Sequence, residues 1–275
     1  MVYIAAITPR GGQGEIDAGA VFELIDYLCK PLKGHAGAIV LFDAAGEYPA
    51  LHPDDRSRVL RLAVKRSRVP VLAGVGSATL DLSLKLAREA RDAGAEALVL
   101  PPPYFYPYRQ DEVREFYFHF SAHLGGCPIY LEHLPMFTTG IAAETARELI
   151  SSGRFAGIVD TTREHSGALV ADDRRFLEAR CAGQPVVSAA ACAIPELVVA
   201  LDSSLTANRG EEACRLNARL HDFLAWADCF PPFALFRIAT GLRGIKTGPP
   251  AMPMPPDKQQ KMDEFREWFK SGDWK

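Results

Sequence analysis

The sequence lacks the features that mark several large classes of protein. No apolar run approaches the roughly 20 residues that cross a membrane, so we expect no membrane contact. The N-terminal residues have neither a basic start nor a long apolar stretch, and they do not resemble a signal peptide. Lysine and arginine (31) do not outnumber aspartate and glutamate (34), and the net charge is −3. The charge balance therefore predicts no nucleic-acid partner.

Cysteine is present without the spacing of a metal or redox site. The 275 residues contain six cysteines, and none belongs to a C-x-x-C pair. A chain of this length buries enough surface to fold without disulfides or a structural metal. We therefore expect free thiols and a cytoplasmic protein.

The chain reads as one strand–helix unit repeated eight times. No G-x-G-x-x-G motif follows the first predicted strand, which disfavours an open doubly wound sheet. Apolar and β-branched runs alternate instead with longer segments of helical spacing, and units of about 30 residues suit a closed barrel. The predicted strands cover residues 3–8, 37–42, 70–75, 97–103, 127–133, 155–160, 184–190 and 203–207. We predict an α/β fold, a (β/α)₈ TIM barrel over residues 1–229 with a C-terminal helical extension over 230–275.

Local signals mark individual helices within this pattern. Pro53 and the acids after it suit the first turn of a helix. Ser77 or Thr79 can cap the next one, and Gly94 can end it in a left-handed conformation. A helix is expected over residues 168–180 and a short one from Pro195.

Function in this fold lies at the carboxyl ends of the strands. Four ionisable residues are expected there: Asp43, Glu132, His133 and Asp160. The predicted strand ends also include Thr8, Ser188 and residues 206–208.

The sequence around these strand ends resembles the dihydrodipicolinate synthase and N-acetylneuraminate lyase family of class I aldolases. Thr8-Pro9 fits the family's opening, and FDAAGEYPALHPDDR from Phe42 stands where the family has G-T-T-G-E. Leu134-Pro135 matches the end of Y-N-x-P. FAGIVDTT resembles the strand that reads G-I-K-D-S, and SSLTAN resembles G-V-I-S-x-x-A-N. The motifs occur in order over almost the whole chain, so the resemblance implies the barrel fold.

The resemblance also shows which functional groups are missing. The family forms an imine between a strand lysine and a 2-oxo acid, and Val159 stands at that lysine's position. Glu132 stands where a tyrosine relays protons. Four further positions have lost polar groups that bind carboxylate or join the relay; they are occupied by Ala44, Ala45, Phe105 and Phe137. None of the nine lysines falls at a predicted strand end, so we expect no classical Schiff base.

The chemistry that remains centres on Glu132. By the same resemblance Val159 and Glu132 face the barrel, whereas Asp160 points toward the helices because strand side chains alternate. Glu132 is our candidate general acid or base; a carboxylate satisfied by backbone N–H groups is the structural alternative. His133 is expected to hold loops by hydrogen bonding. Since neighbouring strand residues do not reach one site, we predict no metal and no cofactor.

An aromatic run follows the fourth strand at residues 104–108. The resemblance implies that this loop reaches a neighbouring subunit, so we expect a homodimer or homotetramer; ordinary loop packing is the alternative.

Two functions stay open from the sequence. The first is a lyase-family barrel that binds a small oxo or hydroxy acid without Schiff-base chemistry. The second is a catalytically inactive paralogue that binds a small molecule or a partner, so enzyme activity is left open. The candidate substrate-binding residues are Thr8, Ala44, Ala45, Phe105, His133, Phe137, Val159 and Asp160.

Overall fold

Eight parallel strands close into a barrel in the computed structural model, which describes residues 1–35, 37–272 and 274. Each strand pairs with its neighbour in sequence, and the first pairs with the last. The strands are β1 (Val2–Ala5), β2 (Gly37–Leu41), β3 (Val71–Gly74), β4 (Ala97–Leu100), β5 (Ile129–His133), β6 (Gly157–Asp160), β7 (Leu169–Val170) and β8 (Val186–Ser188). The predicted TIM barrel is confirmed.

Helices surround the barrel and extend past its last strand. They are α1 (Ala18–Cys29), α2 (Pro53–Arg66), α3 (Leu80–Ala93), α4 (Gln110–Ala122), α5 (Ala143–Ser151), α6 (Phe176–Cys181), α7 (Ala190–Ala193), α8 (Pro195–Thr206), α9 (Gly210–Leu224), α10 (Ala234–Leu242) and α11 (Pro256–Ser271). Short 3₁₀ turns cover Ala44–Gly46, Tyr48–Ala50, Asp173–Arg175 and Ala227–Cys229. No described helix is long and apolar enough to span a membrane.

The local helix signals lie where the sequence predicts them. Helix α2 begins at Pro53 with two acids in its first turn. The Thr79 side chain accepts a hydrogen bond from the Leu82 N–H at 3.4 Å and caps α3. Gly94 ends that helix at φ 89°, a conformation that costs glycine little because it has no Cβ.

The prediction was wrong after the sixth strand. Residues 168–180, predicted as a helix, begin with β7, whose two residues are too few to show a periodic pattern. The predicted seventh strand is β8, the last strand of the barrel.

The predicted eighth strand, residues 203–207, is the end of α8 and the residue after it. The Thr206 hydroxyl donates to the Asp202 carbonyl at 2.8 Å, a bond one helical turn back that satisfies a hydroxyl inside a helix. Because the helices of a (β/α)₈ barrel run antiparallel to the strands, residues 206–208 lie at the end of the barrel opposite the candidate site. The match of SSLTAN to a family strand is therefore wrong.

Two apolar layers fix the barrel. Its interior holds a small cluster that includes Val40, Leu72, Val99 and Val159. A larger cluster fills the space between strands and helices. Beyond the barrel, aromatic rings of α9 and α11 pack together: the ring centroids of Phe223 and Phe269 are 6.0 Å apart. These contacts hold the C-terminal helix α11 against α9.

Candidate active site

A cavity of about 560 Å³ opens at the carboxyl ends of the strands. We call it the mouth cavity. Asp43 and Glu132 line its wall together with Ala45, Val159 and Phe137. A pocket of this size is in the range that encloses small molecules.

A larger depression of about 1190 Å³ lies at the opposite end of the strands, where Tyr3 and Tyr130 line it. Conserved chemistry in this fold is built at the carboxyl ends of the strands, because the strand-to-helix loops converge there. The mouth cavity, with its buried ionisable groups, is therefore the candidate site.

Glu132 and Val159 are direct neighbours across β5 and β6. Both line the mouth cavity, and Glu132 is only 4% exposed. Its Oε2 atom has no hydrogen-bond partner among the described residues. Burial raises the pKa of Glu132 well above its ordinary value, and the nearby Asp43 raises it further. Burial therefore favours the protonated, neutral form of the side chain.

Asp43 provides a second buried carboxyl in the same cavity. It follows β2 and caps the Ala44–Gly46 turn, where its Oδ1 accepts from the Gly46 N–H at 3.2 Å. Burial raises the pKa of Asp43 to about 7, although hydrogen bonds from the turn oppose the shift. Two carboxyls whose environments give them different affinities for a proton can act as an acid and a base.

The turn that Asp43 caps is tied to the C-terminal helices. Glu47 follows the turn in a left-handed conformation, φ 53°, and pairs with Arg237 of α10. Arg237 also donates to the Thr8 and Thr247 carbonyls, at 3.0 and 2.7 Å. Glu47 therefore positions the Ala44–Ala45 wall without itself lining the cavity.

The segment after β7 contributes residues that the sequence prediction missed. Asp173 lines the cavity, accepts a hydrogen bond from the Ser188 hydroxyl and accepts from the Ala190 N–H at 2.9 Å. Burial raises the pKa of Asp173 to about 6. These residues were missed because 168–180 was predicted as an outer helix.

Arg174 is the one lysine or arginine among the described residues that line the mouth cavity. It lies 2.8 Å from Asp228 and is half exposed. Arg163, the cation nearest in sequence to the end of β6, pairs instead with Glu178 at 3.0 Å outside the cavity. No described lysine lines the cavity.

Four of the predicted substrate-binding residues lie outside the cavity. Thr8 is buried beneath the Ala44–Gly46 turn, and Phe105 is 83% exposed on its loop. His133 and Asp160 alternate with Glu132 and Val159 along their strands, so they point away from the barrel interior. Asp160 accepts from the Thr162 and His165 N–H groups at 2.6 and 3.0 Å and thereby holds the loop after β6. Ala44, Ala45, Glu132, Phe137 and Val159 line the cavity.

His133, Glu164 and His165 have ligand atoms within 4.8 Å of one another, the spacing of a metal site. The Nδ1 atom of His133, however, accepts a hydrogen bond from the Ile141 N–H at 3.0 Å. The proton of the neutral ring is therefore on Nε2, which lies 3.5 Å from Glu164. With the Ile141 N–H on Nδ1, a metal at Nε2 would require an imidazolate, so the observed role of the His133 ring is to hold the loop after β5.

Aromatic rings form the outer wall of the cavity. Phe137, from the loop after β5, packs against Phe233 with ring centroids 6.1 Å apart. Phe233 precedes α10 and packs on Phe236 at 6.4 Å. The candidate site thus holds three buried carboxyls, those of Asp43, Glu132 and Asp173, below an apolar, aromatic rim.

The model of the dihydrodipicolinate synthetase family matches residues 1–271. An uncharacterized DapA-like lyase of Halobacterium salinarum is 30% identical over 76% of this chain and 74% of its own length. A 4-hydroxy-tetrahydrodipicolinate synthase of Archaeoglobus fulgidus is 27% identical over 98% of this chain and 97% of its own.

Solved structures show the same fold. Dihydrodipicolinate synthase from Aquifex aeolicus superposes with a TM-score of 0.85 at 23% identity, covering 98% of this chain and 97% of that one. The sialic acid aldolase of Ruminococcus gnavus has a TM-score of 0.85 at 18% identity, covering 98% and 96%.

Proposed function

Because the chain belongs to the dihydrodipicolinate synthetase family, we propose that it binds a small oxo or hydroxy acid in the mouth cavity and acts on it by acid–base catalysis without an imine. The observation that carries this proposal is the buried Glu132 carboxyl beside Asp43, at a cavity wall that also holds Val159, the residue that the resemblance aligns with the family's lysine. A protein of this family with no lysine in its cavity still has two groups that can move protons.

The proposed step is enolisation of a 2-oxo acid. Asp43, as carboxylate, removes a proton from the carbon next to the carbonyl, and the C–H electron pair becomes the new C=C bond. Neutral Glu132 donates its proton to the carbonyl oxygen, so the product is an enol and the two carboxyls have exchanged protonation states. With a 3-hydroxy acid, Asp43 would remove the C2 proton, the C–H electron pair would become a C2=C3 double bond, and Glu132 would protonate the C3 hydroxyl, which leaves as water. Arg174 is our candidate partner for the substrate carboxylate.

We expect no imine to form when the protein is mixed with pyruvate. Sodium borohydride reduces imines to stable amines, so intact-mass spectrometry after treatment with pyruvate and borohydride should show an unchanged mass. The Val159→Lys variant should also lack aldolase activity, because residues of a catalytic unit act together and Ala44, Ala45 and Glu132 remain. An adduct on any lysine of the unsubstituted protein would contradict the proposal.

Turnover itself can be followed by proton exchange. In D₂O, enolisation replaces the C3 protons of a 2-oxo acid with deuterium, and the loss of their NMR signal reports the rate. Exchange faster than in buffer supports the enzyme. Binding of an oxo acid without exchange supports the alternative of a catalytically inactive binding protein.

We also propose that the aromatic loop forms a homodimer contact. Phe105 and Tyr106 are 83% and 63% exposed, and they pack edge to face on each other at 4.9 Å. Burying such rings contributes about 25 cal/mol for each Å² removed from water. Light scattering at micromolar concentration should give a dimer or a tetramer. In the double variant F105S/Y106S the dissociation constant of the assembly should rise at least about tenfold, which corresponds to a loss of about 1.4 kcal/mol of binding free energy.

The matched control for this prediction is Met252→Ser, which removes another apolar side chain, 73% exposed, from a different part of the surface. It should leave the assembly unchanged. A monomer from the unsubstituted chain would show that the loop serves another purpose.

A further inference from the structure

We propose that the substrate carries an aromatic substituent, of the size of a phenyl ring, which packs on Phe137 and Phe233 while its oxo-acid end meets Glu132. The identity of the polar end rests on the proposed function above; the aromatic end rests on the wall of the cavity itself.

The outer wall of the mouth cavity is apolar where a small acid would need polar groups. Phe137 and Phe233 form a ring pair at 6.1 Å, and Phe230 and Phe236 line the cavity beside them. Phe137 is 44% exposed, and its neighbour Met136 is 78% exposed. A ligand that covers exposed rings beside a cavity removes their apolar surface from water, which favours binding. An aromatic ligand adds favourable edge-to-face and stacked contacts with the rings.

Phe233 is held at this wall by an unusual backbone. Its φ is 62°, in the left-handed region that a bulky residue rarely adopts. The conformation ends the Pro231–Pro232 segment and starts α10, with the Ala234 N–H donating to the Pro231 carbonyl at 3.1 Å. Glycine would fit this position without strain, so the ring is present at an energetic cost. Strained residues cluster at functional sites, and Phe233 lines the mouth cavity.

The polar and apolar parts of the cavity are separated, as an amphipathic ligand requires. The unpartnered Glu132 Oε2 is buried at the strand end, and the aromatic wall belongs to the loops above it. The volume of about 560 Å³ is that of a site for a molecule much larger than pyruvate. An aryl-substituted oxo acid offers both kinds of group, a polar end for Glu132 and a ring for the aromatic wall.

The test compares phenylpyruvate with pyruvate by isothermal titration calorimetry. We expect phenylpyruvate to bind at least about thirtyfold more tightly, since burying a ring removes on the order of 100 Å² of apolar surface from water. The Phe137→Ala and Phe233→Gly variants should each lower this ratio about fivefold, with a smaller change in pyruvate affinity. Phe233→Gly is expected to fold, because glycine accepts the positive φ. Met252→Ala is the matched control and should leave the ratio unchanged.

The outcomes separate this inference from the proposed function. Tight phenylpyruvate binding without deuterium exchange would support the aromatic subsite and contradict the catalytic proposal. Equal affinity for the two acids, with exchange of both, would overturn the aromatic subsite and leave the catalytic proposal in place. A ratio that both phenylalanine variants leave unchanged, or phenylpyruvate that does not bind, also overturns the inference.

Discussion

Replacing Glu132 with glutamine is expected to lower the rate of deuterium exchange into a bound oxo acid by at least about 100-fold, the usual contribution of a general acid or base. Glutamine keeps the shape and one hydrogen-bonding oxygen but cannot release a proton. The raised pKa of Glu132 makes it the proton donor of the pair. Without this carboxyl, the carbonyl oxygen of the substrate is not protonated. The rate is measured by NMR at saturating substrate.

A matched control separates this effect from a general change of charge. Glu144 is an exposed glutamate in the first turn of α5 that does not line the mouth cavity, and Glu144→Gln should exchange at the unsubstituted rate. Circular dichroism should show both variants folded. Exchange retained in Glu132→Gln would remove Glu132 from the mechanism and favour the binding-protein alternative.

The buried Asp43 carboxyl should make the protein less stable as the pH rises. Its pKa in the folded state is raised to about 7 from an ordinary value of 3.8, so the folded state holds the proton more tightly than the unfolded state. The contribution of this group to the free energy of unfolding is fully present below pH 3.8 and is lost as the pH rises through about 7. At 1.36 kcal/mol for each pKa unit, the loss in the free energy of unfolding is about 4 kcal/mol.

Asp43→Asn tests this directly by urea denaturation at pH 5 and pH 8. Asparagine keeps the side-chain oxygen that caps the Ala44–Gly46 turn, but it never becomes a buried anion. The variant should therefore be more stable than the unsubstituted protein at pH 8 by a few kcal/mol, and the difference should shrink toward pH 5. Asp81→Asn, an exposed change in α3, controls for the loss of one acid. A difference that is independent of pH would show that Asp43 ionises freely in the folded protein.

The expected effects of these substitutions on stability and on activity have opposite signs. Asp43 and Glu132 are costly to bury, and replacing either with its amide should increase stability at pH 8 while it reduces activity. Active sites often retain such destabilising groups because the chemistry needs them. A variant that gains stability and loses exchange would support a catalytic role over a structural one.

The sequence determined the barrel and most of its elements. The alternation of apolar runs with helical patterns is a local signal, and it predicted β1 to β6 in the right order. Pro53, Thr79 and Gly94 act on the backbone within one helical turn, so their effects could also be predicted from the sequence. The motifs around Phe42, Leu134 and Val159 identified the family, because they depend only on residue type and order.

The tertiary structure decided what the sequence signals could not. Strand β7 has two residues, too short for any period, and it forms because β6 and β8 flank it. Arg174 and Asp228 form an ion pair although they are 54 positions apart in the sequence. The rings of Phe137 and Phe233 pack on each other at the cavity wall. No local sequence pattern encodes either contact. The second carboxyl that raises the pKa of Glu132 belongs to Asp43, at a strand end 89 positions away in the printed sequence. Local periodicity fixes which face of an element is buried, whereas closure of the barrel fixes which side chains share the cavity.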